Sequence, residues 1–276
     1  MTVVFIADDS PANAWLIREV ERQRVIAAIV RPDWDAVRPS RTSGVRPSPP
    51  STPARLMRRL RAQYFAWRDA ASRERLTQAL FHGELPVAPR APVWSVPAWE
   101  INAFTTAERI RALNPAVIVV SGAPMLRSNI YTMPRCGTVN LHVGICPNYR
   151  GMHTIVTPLQ RGDYAHVGAT VHEVDDGVDS GPVLFRVYPD LTPDDTPESI
   201  EAKIVQRSAT VVCEFLSRLD AGPREARIAG RRFTEPGQLV RFHDRRIRDD
   251  LQFRLRRMMG ERPPTLPGRV EGFDID

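Results

Sequence analysis

The chain has 276 residues, of which 42% are hydrophobic and 25% charged, and its formal net charge is +6. This composition is that of a globular protein with a sizeable core, which excludes a chain that is disordered throughout. No apolar run approaches the roughly 18 residues that span a bilayer, so a membrane protein is not expected. The first nine residues lack a basic region, and the three cysteines are an odd number, so we expect a cytoplasmic protein without disulfides.

Basic residues outnumber acidic ones by 38 to 32, and every basic residue except Lys203 is an arginine. Such a surface can attract phosphate groups or nucleic acid. A skew of this kind also reflects genome composition, and we assign the arginines mainly to solvated faces. A nucleic-acid partner is therefore disfavoured, and a homodimer is compatible with the sequence.

The first half of the chain opens as a strand, a helix and a second strand. Residues 2–7 and 25–30 are short apolar runs typical of buried strands. Between them, Ser10 is placed to cap a helix whose first position is Pro11. This order predicts the beginning of a parallel α/β sheet.

A proline-rich surface loop is expected over residues 31–54, where Ser, Thr and Arg separate the prolines. Residues 55–80 then predict a long helix. Its apolar residues Leu56, Leu60, Tyr64 and Trp67 recur at helical spacing. We expect a surface helix that docks on the core through this face.

The remaining elements predict a Rossmann-like α/β fold, with a mainly parallel sheet flanked by helices. Ser121 and Gly122 end the most apolar strand, at the edge where open α/β sheets bind ligands. We assign residues 1–220 to a catalytic domain and 221–276 to an Arg-rich C-terminal appendage, a hairpin followed by a helix. The predicted helices are 106–113, 196–219 and 245–259, and the predicted strands are 116–120, 138–141, 167–174 and 182–188.

Asn140 and His142 lie two apart on a predicted strand, so their side chains share one face. An amide can stabilise a developing oxyanion and an imidazole can move a proton, which are the needs of acyl transfer. By itself the pair also fits two satisfied polar groups at a strand end. An acidic loop follows over residues 174–182, and a carboxylate from it would fix the tautomer of His142 and raise its basicity. The alternative is an Asx-type turn.

The run N-L-H-V-G-I-C-P-N-Y-R-G (residues 140–151), followed by V-D-D-G-V-D-S-G-P (residues 174–182), resembles the signature of the formyltransferases that use N10-formyltetrahydrofolate. That family includes glycinamide ribonucleotide, methionyl-tRNA and amino-sugar N-formyltransferases. The resemblance extends from about residue 115 to 219. It implies that N10-formyltetrahydrofolate is the co-substrate and that no metal is required.

The resemblance places the family's catalytic residues on Asn140, His142 and Asp179. It implies direct transfer, in which protonated His142, held by Asp179, has a raised pKa and passes a proton to the folate nitrogen. The folate pocket would be formed by the loop after the apolar strand and by the acidic turn. Its residues would be Gly122, Ala123, Pro124, Met125, Leu126, Asp175, Asp176, Gly177 and Val178.

Three departures from the family bear on the acceptor. Val143 and Gly144 replace a Pro and Ser that many members carry, which puts the substrate class in doubt. The turn at residues 7–10 lacks the Gly-rich phosphate loop of the glycinamide ribonucleotide enzyme. The segment after Leu219 is too short for the C-terminal β-barrel of the tRNA enzyme. Both of those acceptors are therefore disfavoured.

The sequence then predicts formyl transfer to a primary amine of a small molecule, foremost a nucleotide-linked amino sugar. The alternatives are an amino acid such as N-hydroxyornithine, hydrolysis of the formylfolate, and a non-catalytic RNA-binding or scaffold protein. Cys146 is expected to be a packed thiol rather than a nucleophile. Candidate acceptor contacts are Asp8, Ser10, Trp99, Asn102, Tyr149, Arg150 and His153.

Overall fold

A computed structural model describes residues 1–36, 52–222, 227–235 and 237–272. The helices are α1 (Pro11–Gln23), α2 (Thr52–Phe81), α3 (Phe104–Arg111), α4 (Ser128–Tyr131), α5 (Val156–Arg161), α6 (Pro197–Ala221) and α7 (Ile247–Met258). The strands are β1 (Val3–Ala7), β2 (Ile26–Asp33), β3 (Val93–Pro97), β4 (Val117–Ser121), β5 (Gly137–His142), β6 (Tyr149–Gly151), β7 (Ala169–Glu173), β8 (Val183–Tyr188), β9 (Gln238–Val240) and β10 (Arg269–Gly272).

Eight strands form one sheet in the order β10-β8-β7-β5-β4-β1-β2-β3. The five strands from β3 to β5 are parallel, and β7, β8 and β10 extend the sheet in antiparallel pairs. This confirms the expected mainly parallel sheet with flanking helices. The chain order reverses between β1 and β4, which brings the ends of these strands to one crevice.

The central strands are buried on both faces because helices cover both sides of the sheet. All five residues of β1 and of β4 are buried. Along β4, Val119 packs in a cluster with residues of α1 and α6, whereas Ile118 packs in a second cluster with residues of α3. The alternation of side chains along a strand explains why these apolar runs contain no polar face.

Two helix starts confirm the expected caps. The Ser10 hydroxyl accepts a hydrogen bond from the backbone N–H of Asn13 at the start of α1. At the start of α6, Thr196 and Ser199 form a reciprocal capping box. Both helices carry a proline in the first turn, where the missing N–H costs no helical hydrogen bond.

Helix α2 docks differently from the sequence expectation. Leu56, Leu60 and Trp67, on the predicted docking face, are 56%, 49% and 58% exposed. The helix is instead buried through its C-terminal end, where Leu80 packs among side chains of α6. Residue spacing identifies a helix face but does not say which end reaches the core. Among the described helices, none is both long and apolar enough to cross a bilayer.

The C-terminal segment differs from the expected hairpin. Within the described residues its two strands go to separate partners: β9 pairs in parallel with β6, and β10 pairs with the sheet strand β8. Both partners lie far back in the chain, so local spacing could not reveal them. Helix α7 forms as expected, and its Phe253 is buried in the main core. Of the expected proline-rich loop, residues 37–51 lie outside the described part of the chain.

Candidate active site

Asn140 and His142 lie on β5, and the register of the sheet directs both side chains to one side. Strand β5 pairs in parallel with β4 and antiparallel with β7. The pairing with β7 sets Asn140 directly opposite His172. A small group of polar side chains therefore meets where the parallel part of the sheet joins its antiparallel part.

Asp179 reaches this group from the turn between β7 and β8. Its φ angle is +46°, a left-handed conformation that Asp adopts more readily than most residues. Its carboxylate accepts hydrogen bonds from Asn140 Nδ2 at 3.0 Å and from the Gly151 amide at 2.8 Å. The Oδ2 atom also lies 3.3 Å from His142 Nδ1. Asp179 thus contacts both of the other residues singled out by the sequence.

The imidazole of His142 is buried and held from both sides. Its Nε2 atom bonds the carbonyl oxygen of Tyr149 at 3.0 Å, and because a carbonyl only accepts, this nitrogen carries the proton. The Tyr149 hydroxyl donates to Asp163 at 2.7 Å, and this bond anchors the residue whose carbonyl holds His142.

Burial lowers the pKa of His142 below its ordinary value of 6.5, although the Asp179 carboxylate acts in the opposite direction. This is contrary to the raised pKa expected for an ion-paired histidine. The physical reason is that the charged form loses its hydration in the interior, and here this loss exceeds the attraction of the carboxylate. The resting imidazole is therefore neutral at neutral pH.

Asp179 is the permanent charge of the group. Burial acts to raise its pKa, but the neighbouring His172 and His142 rings and the Gly151 amide together lower it to about 2. The carboxylate is therefore ionised at neutral pH. It can therefore stabilise a positive charge whenever His142 takes up a proton.

His172 also belongs to the site. The residue is 3% exposed, and its Nε2 atom lies 3.2 Å from Asn140 Nδ2 and 3.4 Å from Asp179. Its Nδ1 atom bonds the carbonyl of Glu173, so the proton is on Nδ1 and Nε2 accepts from the asparagine. The signal that could have found it is strand register, which a single sequence does not give.

Gly144 explains one departure of the motif. A Cβ atom at this position would lie 2.4 Å from His142 Nε2 and 2.7 Å from Thr154 Cβ. The backbone after His142 thus passes so close to the imidazole that a side chain would displace it. Serine, which many family members carry here, does not fit this arrangement.

Comparison with known proteins shows what this part of the chain is similar to. Residues 98–216 match the model of the formyl transferase family, and this range contains β5 and the Asp179 turn.

Two curated proteins to which the chain is similar are methionyl-tRNA formyltransferases. That of Halorhodospira halophila is 35% identical over 117 residues, which cover 42% of this chain and 37% of the relative. That of Kosmotoga olearia is 27% identical over 141 residues, covering 50% and 45%. The chain thus spans less than half the length of these relatives.

Solved structures share the fold of this protein over most of the chain. A sugar N-formyltransferase from Shewanella sp FDAARGOS_354 has a TM-score of 0.54 at 14% identity, covering 92% of this chain and 87% of its own. A phosphoribosylglycinamide formyltransferase from Anaplasma phagocytophilum has a TM-score of 0.54 at 14% identity, covering 87% and 97%. These similarities confirm the Rossmann-like formyltransferase fold.

The two loops expected to hold the folate lie side by side. Ala123 and Val174 pack against the same apolar cluster, and the Tyr131 hydroxyl donates to Asp176 across the gap at 2.8 Å. Gly122 turns the first loop at φ +66°, where a Cβ would lie 2.5 Å from Asp8.

The surface of these loops suits N10-formyltetrahydrofolate, the co-substrate that the family implies. Met125 and Val178 expose apolar side chains, at 55% and 38%, and Asp176 and Gly177 are also exposed, so the peptide groups of the turn can be reached. Apolar contacts flanked by peptide donors and acceptors suit a flat, polar-edged ring. The residues present therefore fit the group.

Four candidate acceptor residues are placed around the loops. Asp8 accepts from the Ser10 amide and from Asn13 Nδ2, which also donates to the Ser121 carbonyl, so this turn braces the end of β4. Asn102 bonds the main chain of the 122–127 loop from both ends of its amide. Asn102 thus supports the expected folate loop. Trp99 is half-buried on the short helix Ala98–Glu100, which precedes Asn102 in the chain.

Two further candidate acceptor residues, Arg150 and His153, follow Tyr149, whose carbonyl bonds His142. His153 has a positive φ of +57°, and its Nε2 atom is buried without a hydrogen-bond partner in the described structure. The Nε atom of Arg150 is also buried without a hydrogen-bond partner in the described structure.

Burial raises the pKa of the Cys146 thiol to about 12, which confirms a packed thiol. In the described part of the chain, no group of His, Cys, Asp and Glu side chains could hold a metal.

Proposed function

We propose that the protein transfers a formyl group from N10-formyltetrahydrofolate to a primary amine of a small molecule. The observation that carries this proposal is the contact of Asn140, His142 and Asp179 beside two loops that suit a folate. The match of residues 98–216 to the formyl transferase family model supports it.

The folate supplies the formyl carbon and a nitrogen that can leave from it. Neutral His142 takes the proton of the amine on Nδ1, the ring nitrogen that carries no proton, as the new nitrogen–carbon bond forms, and the pair of electrons of the carbonyl moves to its oxygen. The imidazolium that results faces Oδ2 of Asp179 at 3.3 Å, which stabilises its charge. His142 then returns the proton to the leaving nitrogen as the carbon–nitrogen bond breaks and the carbonyl re-forms.

Asn140 stabilises the oxygen that gains negative charge during this step. Both protons of its amide are engaged, one by Asp179 and one by His172 Nε2. The longer bond, to His172 at 3.2 Å, is the one that the amide exchanges for the formyl oxygen. Asp179 keeps the amide in place during the exchange, so the donor remains aligned.

A nucleotide-linked amino sugar is the acceptor class that the cavities support best. One cavity of about 540 Å³ is lined by Val143 and Thr154, which follow His142 in the chain. A second, of about 600 Å³, shares Pro11 and Arg73 with the first and is lined by Arg18, Arg22, Arg31 and Arg90, together with Asp8, Asp9 and Glu21. The first has room for a sugar, and the excess of arginines over carboxylates in the second favours a diphosphate.

The test is to incubate the full-length protein with N10-formyltetrahydrofolate and a panel of amines. The panel contains nucleoside-diphosphate amino sugars, N-hydroxyornithine and a buffer blank, with folate release and formylated product both measured. We expect a formylated amine from the wild type and none from His142→Ala, while His243→Ala, whose side chain is 70% exposed, keeps full activity. Folate release in buffer alone would instead indicate hydrolysis, and no product with any amine would contradict the proposal.

A cytoplasmic location is part of the same proposal. Cys136, Cys146 and Cys213 are buried and unpaired, as fits a compartment in which thiols stay reduced. Microscopy of a tagged full-length protein in its host would test this placement.

A further inference from the structure

Tyr149 is placed to support the reacting histidine rather than to contact an acceptor. The residue is 5% exposed and begins β6, which pairs with β9. Its carbonyl oxygen accepts the proton of His142 Nε2 at 3.0 Å, and its amide donates to the Ile145 carbonyl at 2.8 Å. The main chain of Tyr149 therefore holds the imidazole at the ring nitrogen that Asp179 does not face.

The side chain of Tyr149 is fixed at its far end. Its hydroxyl donates to Oδ2 of Asp163 at 2.7 Å, and the other oxygen of that carboxylate lies 2.8 Å from Nδ1 of His166. Asp163 lies two residues after α5, and His166 ends the short helix Tyr164–His166. The carboxylate is thus held from both sides, and its bond to the hydroxyl joins this turn to Tyr149.

The single proton of neutral His142 has two possible acceptors. Nε2 faces the Tyr149 carbonyl at 3.0 Å, and Nδ1 faces Oδ2 of Asp179 at 3.3 Å. A carboxylate is the stronger acceptor, so it would draw the proton to Nδ1 if the carbonyl moved away. The proton stays on Nε2 only while the carbonyl is kept at hydrogen-bond distance. In that tautomer Nδ1 is free to take up a proton, as the proposed reaction requires.

We infer that Tyr149 and Asp163 are positioning residues that select the Nε2–H tautomer of His142. The Tyr149 hydroxyl, anchored on Asp163, keeps the carbonyl of the same residue against the imidazole. The inference rests on the proposed function for its effect on rate, whereas the tautomer itself can be observed without turnover. Both residues act through His142 and not on the reacting atoms.

The experiment observes the tautomer of His142 directly. Full-length protein carrying isotope-labelled histidine is studied by long-range proton–nitrogen NMR well above the pKa of the ring, where the imidazole is neutral. The chemical shifts of the two ring nitrogens show which of them bears the proton. The spectrum of His142→Gln, which lacks the signals of this ring, assigns them.

The same spectra are taken for Tyr149→Phe, Asp163→Ala, Asp163→Asn and Tyr188→Phe. Tyr188 is the matched control, because it is also buried and its hydroxyl also bonds a carboxylate, that of Glu271. Thermal unfolding of each variant establishes that it is folded.

We expect the proton on Nε2 in the wild type and in Tyr188→Phe. Tyr149→Phe and Asp163→Ala should place it on Nδ1 or show a mixture of the two tautomers. Asp163→Asn still offers an oxygen to the tyrosine and should keep the wild-type tautomer. With an amine that is turned over, Tyr149→Phe and Asp163→Ala should lower kcat about tenfold, as fits the loss of one hydrogen bond, and leave both KM values unchanged.

Failure of the inference and failure of the proposed function can be told apart. A wild type with its proton on Nδ1, or an unchanged tautomer in folded Tyr149→Phe, overturns the selection by Tyr149. Equal shifts in Asp163→Ala and Asp163→Asn would overturn the role given to the hydrogen bond of Asp163. A tautomer shift in Tyr149→Phe, together with no formylated product from the wild type, supports the inference and contradicts formyl transfer.

Discussion

The carboxylate of Asp179 lies 3.3 Å from Nδ1 of His142, while its other oxygen accepts a hydrogen bond from Asn140. One residue on a left-handed turn thus positions both the proposed proton carrier and the proposed oxyanion donor. Its geometry makes the following outcomes expected.

Replacement of Asp179 by Asn should lower kcat for formyl transfer by at least about 100-fold. The amide keeps the size of the side chain but removes the charge that stabilises protonated His142, and its NH₂ would face one of the present donors. Asp194→Asn, an exposed change after β8, is the control. Near-normal turnover of folded Asp179→Asn would show that the charge is not needed.

Replacement of His172 by Phe should lower kcat about tenfold and change the folate KM little. The residue acts through Asn140, whose second amide proton it accepts, so its loss leaves the amide less firmly oriented. Gln can supply an acceptor, and His172→Gln should restore part of the rate. If the Phe and Gln variants lose activity equally, His172 contributes packing alone.

Activity should fall on the acid side of pH 6.5. Burial lowers the pKa of His142 below that value, and the neutral ring is the form that accepts the proton of the amine. As pH falls through this lowered pKa, His142 becomes protonated and the base is lost. The profile of kcat/KM, corrected for the neutral fraction of the amine, should therefore reach half its plateau below pH 6.5. A midpoint above 6.5 would mean that another group controls the rate.

Gly144→Ala should reduce kcat strongly because the new methyl group would lie 2.4 Å from His142 Nε2. We expect a loss of about 100-fold, the cost of displacing a reacting group by about an ångström. The matched control is Gly272→Ala, where a Cβ comes no closer than 3.4 Å to Phe185. Crystals of Gly144→Ala with an unmoved imidazole and full activity would refute the steric argument.

Cys146→Ala should keep formyl transfer within about twofold of the wild type. Burial holds the thiol pKa at about 12, so the thiolate nucleophile is absent at neutral pH. The small cavity left behind should lower the free energy of unfolding by about 1 kcal/mol, which urea denaturation measures. Inactivation of the wild type by iodoacetamide at Cys146 would argue against this assignment.

Much of the site could be predicted because its residues lie in two short motifs with strong local signals. Alternation on a strand places Asn140 and His142 on one face, and the motif identifies Asp179. His172 could not be found in this way. Its place in the site depends on the pairing of β5 with β7. The lowered pKa of His142 likewise follows from burial, which residue types alone do not reveal.

Strand β10 covers the outer edge of β8, and the turn that carries Asp179 leads directly into β8. Without β10, β8 would be an edge strand with unpaired N–H and C=O groups, to which a strand of another molecule can pair. Exposed edge strands are a common cause of self-association. Strand β10 therefore protects this edge of the sheet. Removal of β10 by truncation should therefore cause self-association before it lowers catalytic activity.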